Sequence, residues 1–170
     1  KKIYENESLN YASVNGARIE EKIRNVVQRA KTYLSATKHR FYSYTQQNKF
    51  LKTQIGRDKD IVAIAVFERR GANWEDVYRL IRPRGDTVRL VRKDFNQLNK
   101  EFPMDFQAAA LGDTQIRTAF LKDAFPLVRI ALVLKNKQVL LIETFYDSFL
   151  EQMTLERPLY SFLVDRNGTI

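Results

Sequence analysis

The chain has no cysteine and only one histidine among its 170 residues. The first absence removes disulfide frameworks, thiolate metal sites and cysteine nucleophiles. The second removes histidine-rich metal clusters, and His39, set between Lys38 and Arg40, reads as a surface residue. Glycine and proline are also scarce, at 6 and 4 residues, so no linker, repeat or low-complexity tract divides the chain and no glycine-rich phosphate loop is present. No apolar run approaches the roughly 18 to 20 residues that cross a bilayer, and no signal-peptide pattern is seen. The acids Asp58, Asp60, Glu75, Asp76 and Asp94 are scattered outside any catalytic motif. No catalytic residue, metal ligand or cofactor site is therefore assigned, and the segment reads as non-enzymatic.

What is present suits one well-buried core, with 44% hydrophobic and 29% charged residues. Residues 1–170 read as a single domain, helical over 1–56 and sheet-forming over 57–170. The net charge of +9 is densest at Arg79, Arg82, Arg84, Arg89, Arg92 and Lys93, around a turn at Pro83-Arg84-Gly85-Asp86. Aromatics do not interleave with these cations, so a solvated basic face is the better reading and a nucleic-acid-binding domain the weaker alternative.

From Leu9 to about Thr37 the pattern is helical, with Ala12, Gly16, Ile19, Ile23, Val26, Ala30 and Tyr33 forming a seam and Val27, Leu34 and Phe41 widening the apolar stripe. A helix of about 28 residues spans roughly 42 Å, more than a small domain needs. The expectation is that one side packs on the sheet while the seam, within residues 12–37, joins a second copy in a homodimer. The alternative puts the whole stripe on the helix's own domain. A second, bent helix is expected from Lys38 to near Gly56. Strands follow at Asp60–Arg69 and, past a turn at Arg70-Gly71-Ala72-Asn73, at Trp74–Ile81. Simple alternation puts Trp74, Asp76, Tyr78 and Leu80 on one face of that second strand and Val77, Arg79 and Ile81 on the other. A short helix is expected at Asp94–Phe102, capped by Asp94 and stopped by Pro103. A strand follows at Gln115–Leu121, a helical turn or two at Tyr146–Met153, and a last strand at Leu159–Val164.

The centre of the pattern is the run from Phe125 to Tyr146, two apolar arms divided by Lys135-Asn136-Lys137-Gln138. Apolar residues at nearly every position mean that both faces of this hairpin are covered. Arg129 is the exception in the first arm, sharing a face with Leu127, Ala131 and Val133. If Asn136 and Lys137 form the tip, Arg129 lies across from Thr144, and a shift of one residue puts it opposite Glu143. A cross-strand pair with Glu143 needs no ligand. A guanidinium facing a cavity suits a carboxylate or phosphate, because it offers two parallel donors. The candidate ligand-binding residues are Arg129, with Trp74, Tyr78, Arg117 and Tyr146 as companions. For the aromatics, burial in the core is the competing reading.

Three stretches, taken together, resemble the Cache-type sensor domains of bacterial membrane receptors: the helix Ala17–Ala36 opening on Arg-Ile-Glu-Glu-Lys-Ile, the hairpin with the following Phe149-Leu150, and the ending Tyr160-Ser-Phe-Leu-Val-Asp-Arg-Asn-Gly-Thr-Ile170. The resemblance implies an α+β fold, in which a long N-terminal helix packs on a PAS-like antiparallel sheet of about five to six strands. It also implies a place on the periplasmic or extracellular side of a bacterial inner membrane, with flanking transmembrane helices and a histidine kinase, nucleotide cyclase, diguanylate cyclase or chemoreceptor output. The Tyr, Arg, Trp-Tyr and Asp constellation of amino-acid-binding members does not map onto this chain. The expected ligand is a small anionic molecule, carboxylate or phosphate. A ligand-free dimerisation or protein-interaction module is the alternative.

Overall fold

Seven consecutive residues, Ile61 to Phe67, are all buried, which requires layers on both sides of the strand they form. The computed structural model of the chain describes residues 2–36, 44–83, 90–121, 125–134 and 138–151. The expected contribution of Phe41, the turn at 84–86, the hairpin tip at 136–137 and the strand at 159–164 lie outside these residues.

The helices α1 (Lys2–Ala36) and α2 (Tyr44–Arg57) precede strands β1 (Ile61–Arg70) and β2 (Asn73–Ile81). Then come α3 (Arg92–Glu101), α4 (Phe106–Ala110), β3 (Gln115–Leu121), β4 (Phe125–Val133), β5 (Val139–Phe145) and α5 (Asp147–Leu150). The strands make one antiparallel sheet in the order β2-β1-β5-β4-β3, so the second arm of the hairpin is the central strand. This is an α+β fold, with a long N-terminal helix packed against a five-stranded antiparallel sheet. Gly71 makes the β1–β2 turn with φ of 61°, in the left-handed region that favours glycine.

Helices α1 and α2 cover one face of the sheet. Val26, Ala30, Leu51 and Ile55 join Ile61, Ile64, Leu80, Val128, Ile130, Leu132, Leu140 and Ile142 in one cluster, with Ile19, Ile23, Val27, Tyr33 and Leu34 packed against it. Burying each such aliphatic side chain stabilises the fold by about 1.5–3 kcal/mol. The seam assigned to a second copy is therefore spent, from Ile19 onward, on the chain's own sheet, together with its neighbouring stripe. A helical period identifies an apolar stripe but not what covers it. Helices α3 and α4 lie on the opposite face, where the apolar side chains fall into two clusters, one around Phe95, Leu98 and Leu127 and the other around Phe67, Ala109 and Leu141.

Two further local readings need correction. Asp94 is not the cap of α3, which starts two residues earlier; it occupies the third helical position, where its carboxylate accepts from the Val91 amide at 2.8 Å. The alternation expected along β2 breaks at Val77. Val66 pairs with Tyr78 and Phe67 with Asp76, so Val77 has no partner on β1 and the strand carries a bulge. Trp74 and Asp76 are thereby turned onto the face of Arg79 and Ile81, while Tyr78 and Leu80 stay with the α1 layer.

A polar clamp fixes α1 to the start of β1. Arg29 donates to both Asp58, at 2.9 Å, and Asp60, Lys22 meets Asp60 at 2.6 Å, and the Tyr33 hydroxyl donates to Asp58 at 2.8 Å. Asp58 also accepts from the amides of Asp60 and Ile61 at 2.9 and 3.2 Å. Burial pushes the Asp58 carboxyl up, but these donors and the Arg29 charge outweigh it and hold the group below the usual carboxylate range. Burial and the bond to Asp58 push the Tyr33 hydroxyl up to about 12.

Because the folded-state value of Asp58 is depressed, its stabilisation is complete above the ordinary carboxyl value of about 4 and is lost as pH falls through the folded value. Urea unfolding followed from about pH 5 down to about pH 2 is expected to show falling stability in the native protein and a flatter profile in Asp58→Asn, which starts about 1–3 kcal/mol less stable. Parallel profiles for the two proteins would contradict this role.

Candidate functional site

Arg129 and Glu143 face each other on β4 and β5, in the register one residue removed from the simplest hairpin tip. Both are almost fully buried, at 0% and 1% exposure. Nη2 of Arg129 lies 3.1 Å from Oε1 of Glu143, and the same guanidinium donates to the Asn99 side chain and the Phe102 carbonyl. The end of α3 thus supplies two acceptors to a cation that points out of the sheet beneath it.

Arg79 reaches the same carboxylate from the far side of β1. In the row across the sheet it pairs with Ala65, while Glu143 pairs with Ala63. Two small alanines on β1 let the Arg79 side chain cross above that strand, and its Nη1 comes to 3.6 Å from Oε2 of Glu143. The Arg79 side chain is 2% exposed, and its guanidinium lies 5.2 Å from the Phe95 ring centre and 5.8 Å from that of Phe67. Its Nε donates to Asp76 at 2.6 Å, an arrangement that exists because the Val77 bulge turned Asp76 inward. The more exposed Arg92 closes the edge of the network, 3.5 Å from the Asp76 carboxylate and bonded to its backbone carbonyl at 3.2 Å.

Burial pushes the Glu143 carboxyl up, against the opposing pull of Arg129 and Arg79, and it pushes Arg129 down. Desolvation favours the neutral form of each group, and the neighbouring opposite charge keeps the ionised pair in place. Three arginines, Arg79, Arg92 and Arg129, meet two acids, Asp76 and Glu143, so the network is a polar island with one cation in excess on this face.

The five residues singled out in the sequence do not converge. Arg117 pairs with Arg129 across β3 and β4, and its Nη1 donates to the Pro103 carbonyl at 2.7 Å. Trp74 lies on the same face but packs edge-on against Phe106 at 6.0 Å, in the α4 cluster. Tyr78 and Tyr146 pack against the α1 cluster on the opposite face. Arg79, Asp76, Asn99 and Arg92 complete the network although no motif in the sequence marks them as site residues. Arg79 was legible only as part of a basic run, and the bulge that gives it Asp76 carries no glycine or proline to announce it.

Among the described residues, no group of His, Asp or Glu side chains has metal-binding geometry, and no helix is long and apolar enough to cross a membrane. Comparisons with protein-family models, curated proteins and solved structures find no match to this chain.

Removing one partner of a buried ion pair leaves a charge without compensation, whereas replacing both by apolar groups need not. Glu143→Leu is expected to cost about 3–5 kcal/mol in chemical denaturation. The double variant Arg129→Leu/Glu143→Leu is expected to cost less than the sum of the two single substitutions, by about 1–3 kcal/mol. Strict additivity would show that the two side chains are not coupled.

Proposed function

We propose that this chain is the extracytoplasmic sensing domain of a bacterial transmembrane receptor of Cache type, on the periplasmic or extracellular side of the inner membrane. Its sheet is then the PAS-like element, and its output is a histidine kinase, nucleotide cyclase, diguanylate cyclase or chemoreceptor module. The observation that carries this reading is the 35-residue helix α1 at the head of a five-stranded antiparallel sheet. Ile19, Ile23, Val26, Val27, Ala30, Tyr33 and Leu34 of this helix pack on the sheet, and its backbone runs on as helix back to Lys2. Such a helix, clamped at Asp58 and Asp60, is suited to carry a displacement from the sheet toward a flanking membrane helix. A homodimer through residues 12–37 then uses the outward side of α1, where Val14 is 48% exposed and Gly16 has open space beside it.

In this reading the α3 and α4 face takes a small anionic molecule, carboxylate or phosphate, with Arg129 as its anchor and Arg117 and Trp74 on the same face. Tyr78 and Tyr146, on the other face, act on the ligand only through packing. A second reading, a ligand-free dimerisation or protein-interaction module, is favoured by one observation: Arg129 already meets Glu143, Asn99 and the Phe102 carbonyl within the fold.

Two measurements separate these readings. A periplasm-dependent reporter fused after Ile170 in the full-length protein is expected to be active; activity only from a cytoplasmic reporter rejects the placement. In a thermal-shift screen of carboxylates and phosphates, a ligand at 100 times its dissociation constant is expected to stabilise the domain by about 2.7 kcal/mol. A flat screen favours the ligand-free module.

A further inference from the structure

Three guanidinium nitrogens in the buried network have no hydrogen-bond partner: Nη1 and Nη2 of Arg79 and Nε of Arg129. Folded proteins seldom leave buried donors unmatched, and here they are concentrated on two cations that share a single carboxylate. That carboxylate holds them loosely. Its contacts of 3.1 and 3.6 Å exceed the roughly 2.7–2.9 Å of tight charge-assisted bonds. Arg129 is secured independently by Asn99 and the Phe102 carbonyl, and Arg79 by Asp76 and by the rings of Phe67 and Phe95. Both guanidinium groups therefore have supports that do not depend on Glu143.

We propose that Arg79 and Arg129 form a carboxylate-binding site in which Glu143 is the resident counter-anion, and that a small carboxylate ligand binds by taking the place of the Glu143 carboxylate on Arg79. The side chain of Glu143 ends, like acetate, in a carboxylate on a saturated carbon, so the network already shows how the two cations hold such a group. Ala63 and Ala65 leave the space between Arg79 and Glu143 free of larger β1 side chains. The network reaches solvent at Arg92, whose side chain is 60% exposed, beside Asp76 at 12%. Carboxylate and phosphate both fit a guanidinium fork, but beside the unpartnered Oδ1 of Asp76 the second negative charge of a phosphate dianion is repelled more strongly than the single charge of a carboxylate. The proposal rests on reading this face as the ligand-facing one, and it assigns Arg79 as the residue that exchanges one carboxylate for another.

The test is a calorimetric titration of the wild type, Arg79→Gln and Glu143→Gln with acetate, succinate and inorganic phosphate, with circular dichroism on each protein. The wild type is expected to bind acetate or succinate in preference to phosphate. Glu143→Gln keeps the side-chain shape without the competing charge and is expected to bind the carboxylate about tenfold more tightly. Arg79→Gln is expected to lose binding, and if it does not fold, Glu143→Gln decides alone. Absence of carboxylate binding in both the wild type and Glu143→Gln overturns the proposal, as does unchanged or weaker binding in Glu143→Gln. Carboxylate binding that is indifferent to both variants but lost in Arg129→Ala also overturns it, while leaving the sensor reading standing. A cytoplasmic reporter result removes the sensor reading while leaving the site intact.

Discussion

Placing an ionisable group on the central strand of a sheet that is covered on both faces forces the surroundings to supply its partners. Glu143 on β5 is that group, and much of the α3 and α4 face follows from it. Arg129 stands opposite on β4, and Arg79 reaches across the alanines of β1 from β2. The C-terminal end of α3 is drawn over Arg129, where it supplies acceptors to Nη1 and Nη2. The apolar contacts of this layer are consequently split into two patches, whereas the α1 face is one continuous cluster. Both faces bury apolar side chains, and the divided face also supplies register, because a slip of one residue would strand three charges.

The α1 layer is held differently. Its apolar stripe gives adhesion without direction, and the clamp of Lys22, Arg29 and Tyr33 on Asp58 and Asp60 sets where along the helix the sheet is gripped. The backbone carbonyl of Asp58 also accepts from Arg82, at the end of β2. The clamp and the end of β2 are thus joined through one residue, so the outer hairpin and the helix are coupled by hydrogen bonds and not by packing alone.

Much of the fold was legible in the sequence. The buried strands β1 and β5 show themselves as consecutive apolar residues, β3 as a short run between turn residues, and the hairpin as two such runs with a polar break. What was not legible depended on choices that side-chain pattern does not encode. The hairpin register hinged on one residue of loop length, so Arg129 stood between Thr144 and Glu143 until the strands were paired. The stripe on α1 was visible, but a helical period looks the same whether a sheet or a second helix covers it. Arg79 and Asp76 were assigned to opposite faces because strict alternation was assumed through Glu75-Asp76-Val77, residues that are ordinary in any strand. The bulge there is selected by the tertiary need to pair Arg79, a constraint absent from local sequence.

That bulge has a consequence for how the domain meets its neighbours. Among the described residues β2 is an outer strand, and an outer strand with free backbone groups invites another chain to extend the sheet. An extra residue at Val77 breaks the even spacing of those groups, and Glu75, exposed beside it, adds charge along the same rim. The device that turns Asp76 inward therefore also guards this rim against edge-to-edge aggregation, so a single irregularity serves both the interior and the solubility of the domain.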